Sequence, residues 1–198
     1  MTTALSSAEH IAESSAVRTA LRNEKLAARM ALDATRHTTL GAQVAIHLDA
    51  LLATHPPQTL AFCAPIHNEF DARPLVAKLI AQGWHAAMPV VEAPATPMRF
   101  RRWQPDAAMT EGPYGIPIPA KPDYIQPTLL LLPLVAFDAR AYRLGYGGGY
   151  FDRTLATMVP RPLTVGIGFE LSRTDTIHPL DHDIALDCIV TEAGVFCP

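Results

Sequence analysis

The sequence predicts an α/β protein, a three-layer α/β/α sandwich around a mainly parallel central sheet. Segments of helical and of strand periodicity alternate along the chain. Residues 128–138 (TLLLLPLVAFD) are almost continuously apolar, as in a strand buried on both faces of a parallel sheet. A glycine-rich loop follows this strand and precedes a helix, at the position where α/β sheets bind ligands. With 198 residues, one domain spanning 1–198 is expected.

Two helices precede the first strand. Residues 14–31 lack glycine and proline, and their apolar side chains are spaced for one helical face: Val17, Leu21, Ala28 and Ala31. Asp33 is the predicted N-cap of a second helix that runs to about Ala53 and is stopped by Pro56 and Pro57.

The remaining elements alternate between strands and helices. A strand (59–65), a helix ended by Gly83 and a strand (85–91) form a β-α-β unit. Residues 92–124 are rich in proline and contain one obvious strand, MRFRRW, which predicts an irregular excursion with edge strands. After the central strand we predict a helix near 149–158 and strands at 162–169 and 186–192.

The composition disfavours several functional classes. A net charge of −3 provides no broad attraction for nucleic acid. The longest apolar run, residues 129–137, is about half of what a membrane helix needs, and the N-terminus lacks the pattern of a secretory signal. The three cysteines show no C-x-x-C spacing, so we expect free thiols in a reducing, cytoplasmic compartment.

The chemistry-bearing segment is residues 137–153, FDARAYRLGYGGGYFDR. Glycines let a phosphate approach the backbone, and the start of the following helix favours an anion. We expect Gly148 in particular to combine positive φ with close approach to a phosphate. The segment lacks the Lys-Ser/Thr of a Walker A loop and the third glycine of a dinucleotide fingerprint, and a simple tight turn is the alternative.

The order FD, RLG, GGGY, FDR resembles the signature of the 5-formyltetrahydrofolate cyclo-ligase family. An N-terminal basic helix, EFD after the first strand, GIPIP before the central strand and DHDIALDCIVTE near the C-terminus occur in the same order as in that family. The resemblance implies a fold similar to that of sugar-phosphate isomerases and CoA transferases. It also implies conversion of 5-formyltetrahydrofolate to 5,10-methenyltetrahydrofolate, dependent on ATP and Mg²⁺, with release of ADP and phosphate.

The resemblance further implies roles for individual residues, with Arg143 and Tyr150 as the catalytic pair. The implied ATP contacts are Arg18, Arg22, Arg143, Leu144, Gly145, Tyr146, Gly147, Gly148, Gly149, Tyr150 and Phe151. The implied folate contacts are Glu69, Asp71, Tyr146, Gly147, Gly148, Gly149 and Tyr150. The implied magnesium ligands are Asp152 and Asp183, hard oxygen donors of the kind Mg²⁺ prefers.

Several alternatives stay open from the residues alone. Arg18 and Arg22 are equally consistent with a solvated helix face. Asp152 is also consistent with the first turn of a helix, where the helix dipole favours an acid, and Asp183 with a position in a turn. Asp71 can cap the helix that starts near Ala72, so either Glu69 or Asp71 is the pterin contact. Which cations hold the phosphates is undecided, because Tyr146 and Gly148 stand where some family members carry Arg or Lys.

Two other classes of function are compatible with a glycine-rich phosphate loop. A sugar-phosphate isomerase or CoA-transferase-like enzyme would also use a phosphate loop. A non-catalytic nucleotide- or folate-binding module is the other rival. We expect a monomer whose small-molecule substrate is 5-formyltetrahydrofolate, with neither nucleic acid nor membrane as a partner.

Overall fold

The computed structural model describes residues 7–198, with side chains from residue 14 onward. Residues 1–6, part of the stretch used for the expectation about export, lie outside it. The helices are α1 (Ser7–Met30), α2 (Ala34–Leu52), α3 (Arg73–Ala81) and α4 (Tyr150–Leu155). The strands are β1 (Thr59–Ala61), β2 (His85–Val90), β3 (Arg99–Trp103), β4 (Met109–Glu111), β5 (Pro117–Pro119), β6 (Leu129–Pro133), β7 (Ala136–Phe137), β8 (Arg143–Leu144), β9 (Leu163–Ile167), β10 (Cys188–Thr191) and β11 (Gly194–Phe196).

Seven strands form the central sheet in the order β11-β10-β9-β6-β1-β2-β3. The pairs β1/β2, β1/β6, β6/β9 and β9/β10 are parallel, and the two edge strands β3 and β11 are antiparallel to their neighbours. The predicted mainly parallel sheet is confirmed, with β6 in the middle. Its four leucines are buried because both faces are covered.

The two faces of the sheet carry separate apolar cores. One core packs α2 and α3 on the sheet, through side chains such as Leu48 and Val76. The other packs Leu155 of α4 and Met158 against the opposite face. Helices therefore cover both faces, which confirms the predicted three layers, although α4 is shorter than predicted.

Local signals placed most element ends correctly. The Asp33 carboxylate accepts the backbone N–H of Arg36 at 2.8 Å and caps α2. Gly83 follows α3 with a φ of 95°, the left-handed conformation that often ends a helix. The proline-rich excursion contains β3 and, in addition, the small hairpin of β4 and β5.

The face of α1 that is turned inward differs from the apolar face in the sequence pattern. Val17 is 39% exposed, and Ala28 and Ala31 are exposed as well. The inward face instead carries basic side chains, with Arg29 only 2% exposed. The helix was predicted correctly, and Leu21 of its apolar face packs on Ala136, Leu144 and Ile177, but the rest of the predicted apolar face is exposed.

The expectation of three free thiols is wrong for two of them. Cys188 and Cys197 form a disulfide with a Cα–Cα distance of 4.2 Å, and Cys63 is free. The antiparallel pairing of β10 with β11 aligns Ile189 with Phe196, so the two cysteines are the next facing pair. The unpredicted strand β11 created this proximity, which cysteine spacing alone does not show.

No helix among the described residues is long and apolar enough to span a membrane.

Candidate active site

The glycine loop, defined here as residues 145–149, lies between the β7–β8 hairpin and α4. The buried Asp138 organises this hairpin. Its carboxylate accepts the N–H groups of Arg140 and Tyr142 on one side, and that of Ile177 on the other. A carboxylate with several N–H donors is satisfied without water, so the hairpin gives the glycine loop a fixed base.

The loop backbone needs glycine at two positions. Gly147 and Gly149 have φ values of 96° and 62°, in the left-handed region. Gly148 does not, so the expectation of positive φ there is wrong. Its constraint is steric, because a Cβ on Gly148 would lie 2.8 Å from Cδ2 of Tyr150.

A basic face of α1 lies along this loop and its neighbours. Arg22 donates from Nε to the carbonyl of Gly145 at 2.8 Å, and its guanidinium is close to Gly147. Burial and the nearby charge of Arg18 lower the pKa of Arg22. Lys25 donates to the carbonyl of Arg173. Arg22 is therefore at the loop, and Arg18 pairs with Asp183, so neither lies on a purely solvated face.

Two ion pairs bring the predicted magnesium ligands to the same place. Arg18 donates to the carboxylate of Asp183 at 2.5 Å, and Arg143 lies 3.1 Å from that of Asp152. The N–H of Ile184, next to Asp183, donates to Asp152 at 3.2 Å. Burial raises the pKa of Asp183, but hydrogen bonds from Arg18 and the Leu180 N–H outweigh it and lower the pKa overall.

The Asp152 carboxylate fits a magnesium ion shared with a nucleotide, whereas both oxygens of Asp183 already accept from Arg18. Oδ1 of Asp152 accepts from Ile184 and Arg143, whereas Oδ2 has no hydrogen bond from any described residue. Mg²⁺ commonly binds one or two carboxylates and completes its shell with phosphates and water. No cluster of three or more His, Cys, Asp or Glu side chains suited to a metal occurs in the described part of the chain.

On another side of the glycine loop, Glu69 sits on a tight turn after β1. His67 and Asn68 have left-handed φ values of 47° and 61°, and the Asn68 amide donates to the carbonyls of Arg29 and Leu32. The N–H of Ile66 donates to Oε2 of Glu69 at 3.0 Å. These contacts turn the Glu69 carboxylate toward the loop, where Oε1 accepts from the Tyr146 hydroxyl at 2.6 Å.

The environment of Glu69 disfavours its charge. Burial raises the pKa of Glu69, while the hydrogen bonds from Tyr146 and Ile66 and the charge of Arg29 oppose that rise. Burial and the neighbouring carboxylate also raise the pKa of the Tyr146 hydroxyl, so this phenol stays protonated. Tyr146 therefore acts as a donor to Glu69.

Asp71 lies in a different setting. Its carboxylate accepts the N–H of Arg73 at 3.0 Å and pairs with the same residue's guanidinium at 2.7 Å. It thus caps the start of α3, as the alternative interpretation predicted. Among the described residues, only Glu69 of the acidic pair hydrogen-bonds to the glycine loop.

Tyr150, the first residue of α4, is held from two sides. Its hydroxyl is 2.6 Å from that of Tyr114, in the proline-rich excursion. The guanidinium of Arg153 lies 5.0 Å from the Tyr150 ring centroid and donates to the Gly148 carbonyl. Leu144 is buried in β8, and Phe151 packs on the core below α4. Of the implied loop contacts, the side chains of Tyr146 and Tyr150 are the more accessible.

Known proteins that resemble this chain point to one family. Residues 14–192 match the model of the 5-formyltetrahydrofolate cyclo-ligase family. The chain belongs to this family. Among relatives, the 5-formyltetrahydrofolate cyclo-ligase of Escherichia coli K12 is 29% identical over 180 residues, covering 85% of this chain and 96% of that one. The 5-formyltetrahydrofolate cyclo-ligase of Haemophilus influenzae is 28% identical, covering 82% and 90%.

Solved structures of similar proteins extend the likeness to the fold. The NMR structure of 5,10-methenyltetrahydrofolate synthetase from Aquifex aeolicus gives a TM-score of 0.78 at 27% identity, covering 91% of this chain and 92% of that one. The 5,10-methenyltetrahydrofolate synthetase of Mycoplasma pneumoniae gives 0.73 at 26% identity, with coverage of 88% and 98%. The cyclo-ligase family match therefore includes the segments that carry the candidate site.

One residue of this cyclo-ligase family member was missed in the sequence. Arg29 is buried, and its guanidinium reaches the Tyr146 hydroxyl at 2.7 Å and lies 3.7 Å from Glu69. A signal was present, because basic residues recur at 18, 22, 25 and 29, the spacing of one helix face. The family resemblance indicated only the first two of these positions, Arg18 and Arg22.

Proposed function

We propose that this chain is a 5-formyltetrahydrofolate cyclo-ligase that uses ATP and Mg²⁺ to form 5,10-methenyltetrahydrofolate, ADP and phosphate. The observation that supports it most is the arrangement around the glycine loop. Basic side chains and two aspartates lie on one side, where a magnesium nucleotide needs them. The buried carboxylate Glu69 lies on another, where a pterin can donate N–H groups.

The reaction joins the N5-formyl carbon to N10 of the same folate. In the proposed course, the formyl oxygen attacks the γ-phosphorus and ADP leaves. N10 then attacks the activated formyl carbon and gives up its proton to the departing phosphate or to water, and the formyl C–O bond breaks to release inorganic phosphate. Such a sequence depends mainly on positioning and charge stabilisation rather than on a strong general base.

The residues of this chain divide these tasks. Arg22 lies against the loop backbone, and with Arg18 it can attract phosphate oxygens toward the loop N–H groups. Asp152 and Asp183 would hold Mg²⁺, which when bound neutralises phosphate charge. Arg143 is enclosed between Asp152 and the Ile184 carbonyl, so its proposed contribution is to orient Asp152.

On the folate side, Glu69 has acceptor capacity beyond the two hydrogen bonds that orient it. A pterin offers an amino group and a ring N–H that such a carboxylate can accept. We assign the phenol of Tyr150, the first residue of α4 after the loop, to the border of the reacting groups. Asp71, already occupied by Arg73, is assigned to capping.

The decisive test is spectroscopic. Purified protein is mixed with 5-formyltetrahydrofolate, ATP and Mg²⁺, and methenyltetrahydrofolate is followed by its absorbance. We expect product only when all three are present, with one ADP per product. Nucleotide hydrolysis without dependence on the folate would favour another enzyme class. Binding of both ligands without any product would favour a non-catalytic module.

Folate affinity is expected to depend on pH through Glu69. Pterin N–H groups need an ionised acceptor, so affinity falls as pH drops through the pKa of Glu69. Because burial raises that pKa, the fall begins at a higher pH than for an ordinary glutamate. Calorimetric titrations of 5-formyltetrahydrofolate at several pH values, from neutral to mildly acidic, measure this fall in affinity. In Glu69→Gln, we expect weaker binding that no longer varies over this range.

Asp71→Asn is the matched comparison for Glu69→Gln. Its carboxylate has a lowered pKa, because bonds to Arg73 outweigh burial, and so it stays ionised over the same interval. The variant should keep the wild-type pH dependence and affinity. Loss of pterin binding in Asp71→Asn, with Glu69→Gln unaffected, would transfer the pterin contact to Asp71.

A further inference from the structure

Arg29 joins three segments that are distant in the sequence. Its Nε donates to the carbonyl of His67 at 2.9 Å, beside Glu69, and Nη1 donates to that of Leu134 at 2.7 Å, after the central strand. Its Nη2 donates to the Tyr146 hydroxyl at 2.7 Å, in the glycine loop. A planar guanidinium with several fixed donors can make all three contacts at once, whereas an ammonium cannot reproduce this geometry.

The bonds from Arg29 to Glu69 have a fixed direction. An arginine only donates, so the Tyr146 oxygen accepts from Arg29. The single phenolic proton is then directed to Glu69, at 2.6 Å. This chain of two bonds connects the loop proposed to hold ATP with the carboxylate proposed to hold the pterin. Its two ends are buried, since Arg29 is 2% exposed and Glu69 7%, whereas Tyr146 between them is 39% exposed and can meet a ligand.

We propose that Arg29 is a positioning residue that couples the two substrates: through Tyr146, it makes the orientation of Glu69 depend on the state of the glycine loop. The inference rests on the proposed function. A nucleotide that orders the loop fixes Tyr146, and Tyr146 then holds the Glu69 carboxylate for the pterin. By linkage, the folate must strengthen nucleotide binding by the same factor.

The coupling is measured on the full-length chain by calorimetry. 5-Formyltetrahydrofolate is titrated into the protein alone, and into protein saturated with Mg²⁺ and a non-hydrolysable ATP analogue. For the wild type we expect the analogue to strengthen folate binding about fivefold or more, in the usual range of coupling between sites. The reciprocal titration of the analogue should give the same ratio.

Two variants test the chain of bonds. Tyr146→Phe removes the hydroxyl but leaves the bonds of Arg29 to His67 and Leu134, so the fold is expected to persist. Its coupling ratio should fall to about one. Folate affinity without nucleotide should fall as well, because the Tyr146 hydroxyl is one of the two donors that orient Glu69, so the ratio and not the affinity is the readout. Arg29→Lys keeps the positive charge but lacks the planar guanidinium with its several donors, and should lose the coupling as well.

Lys25→Met is the matched control. Lys25 lies on the same helix and donates to a carbonyl, that of Arg173, but does not touch Glu69 or Tyr146. A general loosening of α1 would reduce the coupling in this variant too. We expect Lys25→Met to keep the wild-type ratio.

The outcomes separate this inference from the proposed function. If the wild type turns over 5-formyltetrahydrofolate but its folate affinity is unchanged by the analogue, the coupling is refuted and the function stands. A wild-type ratio in a folded Tyr146→Phe protein also refutes it. If the wild type neither binds nor converts the folate, the proposed function fails and the coupling with it.

Discussion

Replacing Asp152 with asparagine is expected to reduce ATP-dependent turnover on the order of 100-fold or more, because the metal loses a charged ligand. The fold should be retained. The asparagine oxygen can still accept from Ile184 and Arg143, and the added amide takes the place of Oδ2, which has no bond from any described residue. Turnover as a function of magnesium concentration, together with the melting temperature, measures the two effects separately.

Asp181→Asn serves as the control for this substitution. Asp181 is exposed and lies two positions from Asp183, so its removal changes the local charge equally without changing a proposed ligand. We expect near-normal turnover for this variant. A magnesium titration of Asp152→Asn that matches the wild type would remove Asp152 from the metal site.

A methyl group on Gly148 is expected to abolish both the thermal stabilisation by ATP and cyclo-ligase activity. The new Cβ would lie 2.8 Å from the Tyr150 ring, which is held by the Tyr114 hydroxyl and by Arg153. The ring must move, and the loop geometry moves with it. The φ of Gly148 imposes no backbone strain, so stability without ligand should change little, by about 1 kcal/mol or less.

Melting temperatures with and without ATP test this prediction, since a ligand that binds only the native state raises them. Gly145→Ala is the comparison within the loop, because its Cβ would meet nothing within 4 Å. It should lose much less of the ATP-induced stabilisation. Wild-type ATP affinity in folded Gly148→Ala protein, measured by calorimetry, would show that the loop is only a turn.

The fold was largely readable from local patterns. The continuous apolar run predicted a central strand, and β6 is the middle strand of the seven. Asp33 and Gly83 act locally, so their effects on helix ends could be predicted from their neighbours. Strand β11 was missed, and with it the Cys188–Cys197 disulfide, because its pairing depends on a hairpin rather than on a periodic pattern.

The candidate site was predicted in composition but not in its contacts. The loop, the basic helix and the acidic residues were all named, yet nothing local connects Arg18 with Asp183, which lie 165 residues apart. In the fold, Asp152 and Asp183 each pair with an arginine, and Asp71 pairs with Arg73 at the start of α3. These pairings depend on which residues the tertiary structure brings close together, and the sequence does not show them.

The sequence by itself determined the alternation of elements, the order of the family motifs and the loop where glycine replaces side chains. The tertiary structure decided which face of α1 turns inward. The apolar spacing indicated the face that carries Val17, but the basic face is the one that meets acceptors. Its side chains donate to the carbonyls of His67, Leu134, Gly145 and Arg173. A buried cation is tolerated only where acceptors surround it, and these acceptors come from segments that meet only in the folded chain. The basic spacing at 18, 22, 25 and 29 could have drawn attention to Arg29, but its acceptors could be recognised only in three dimensions.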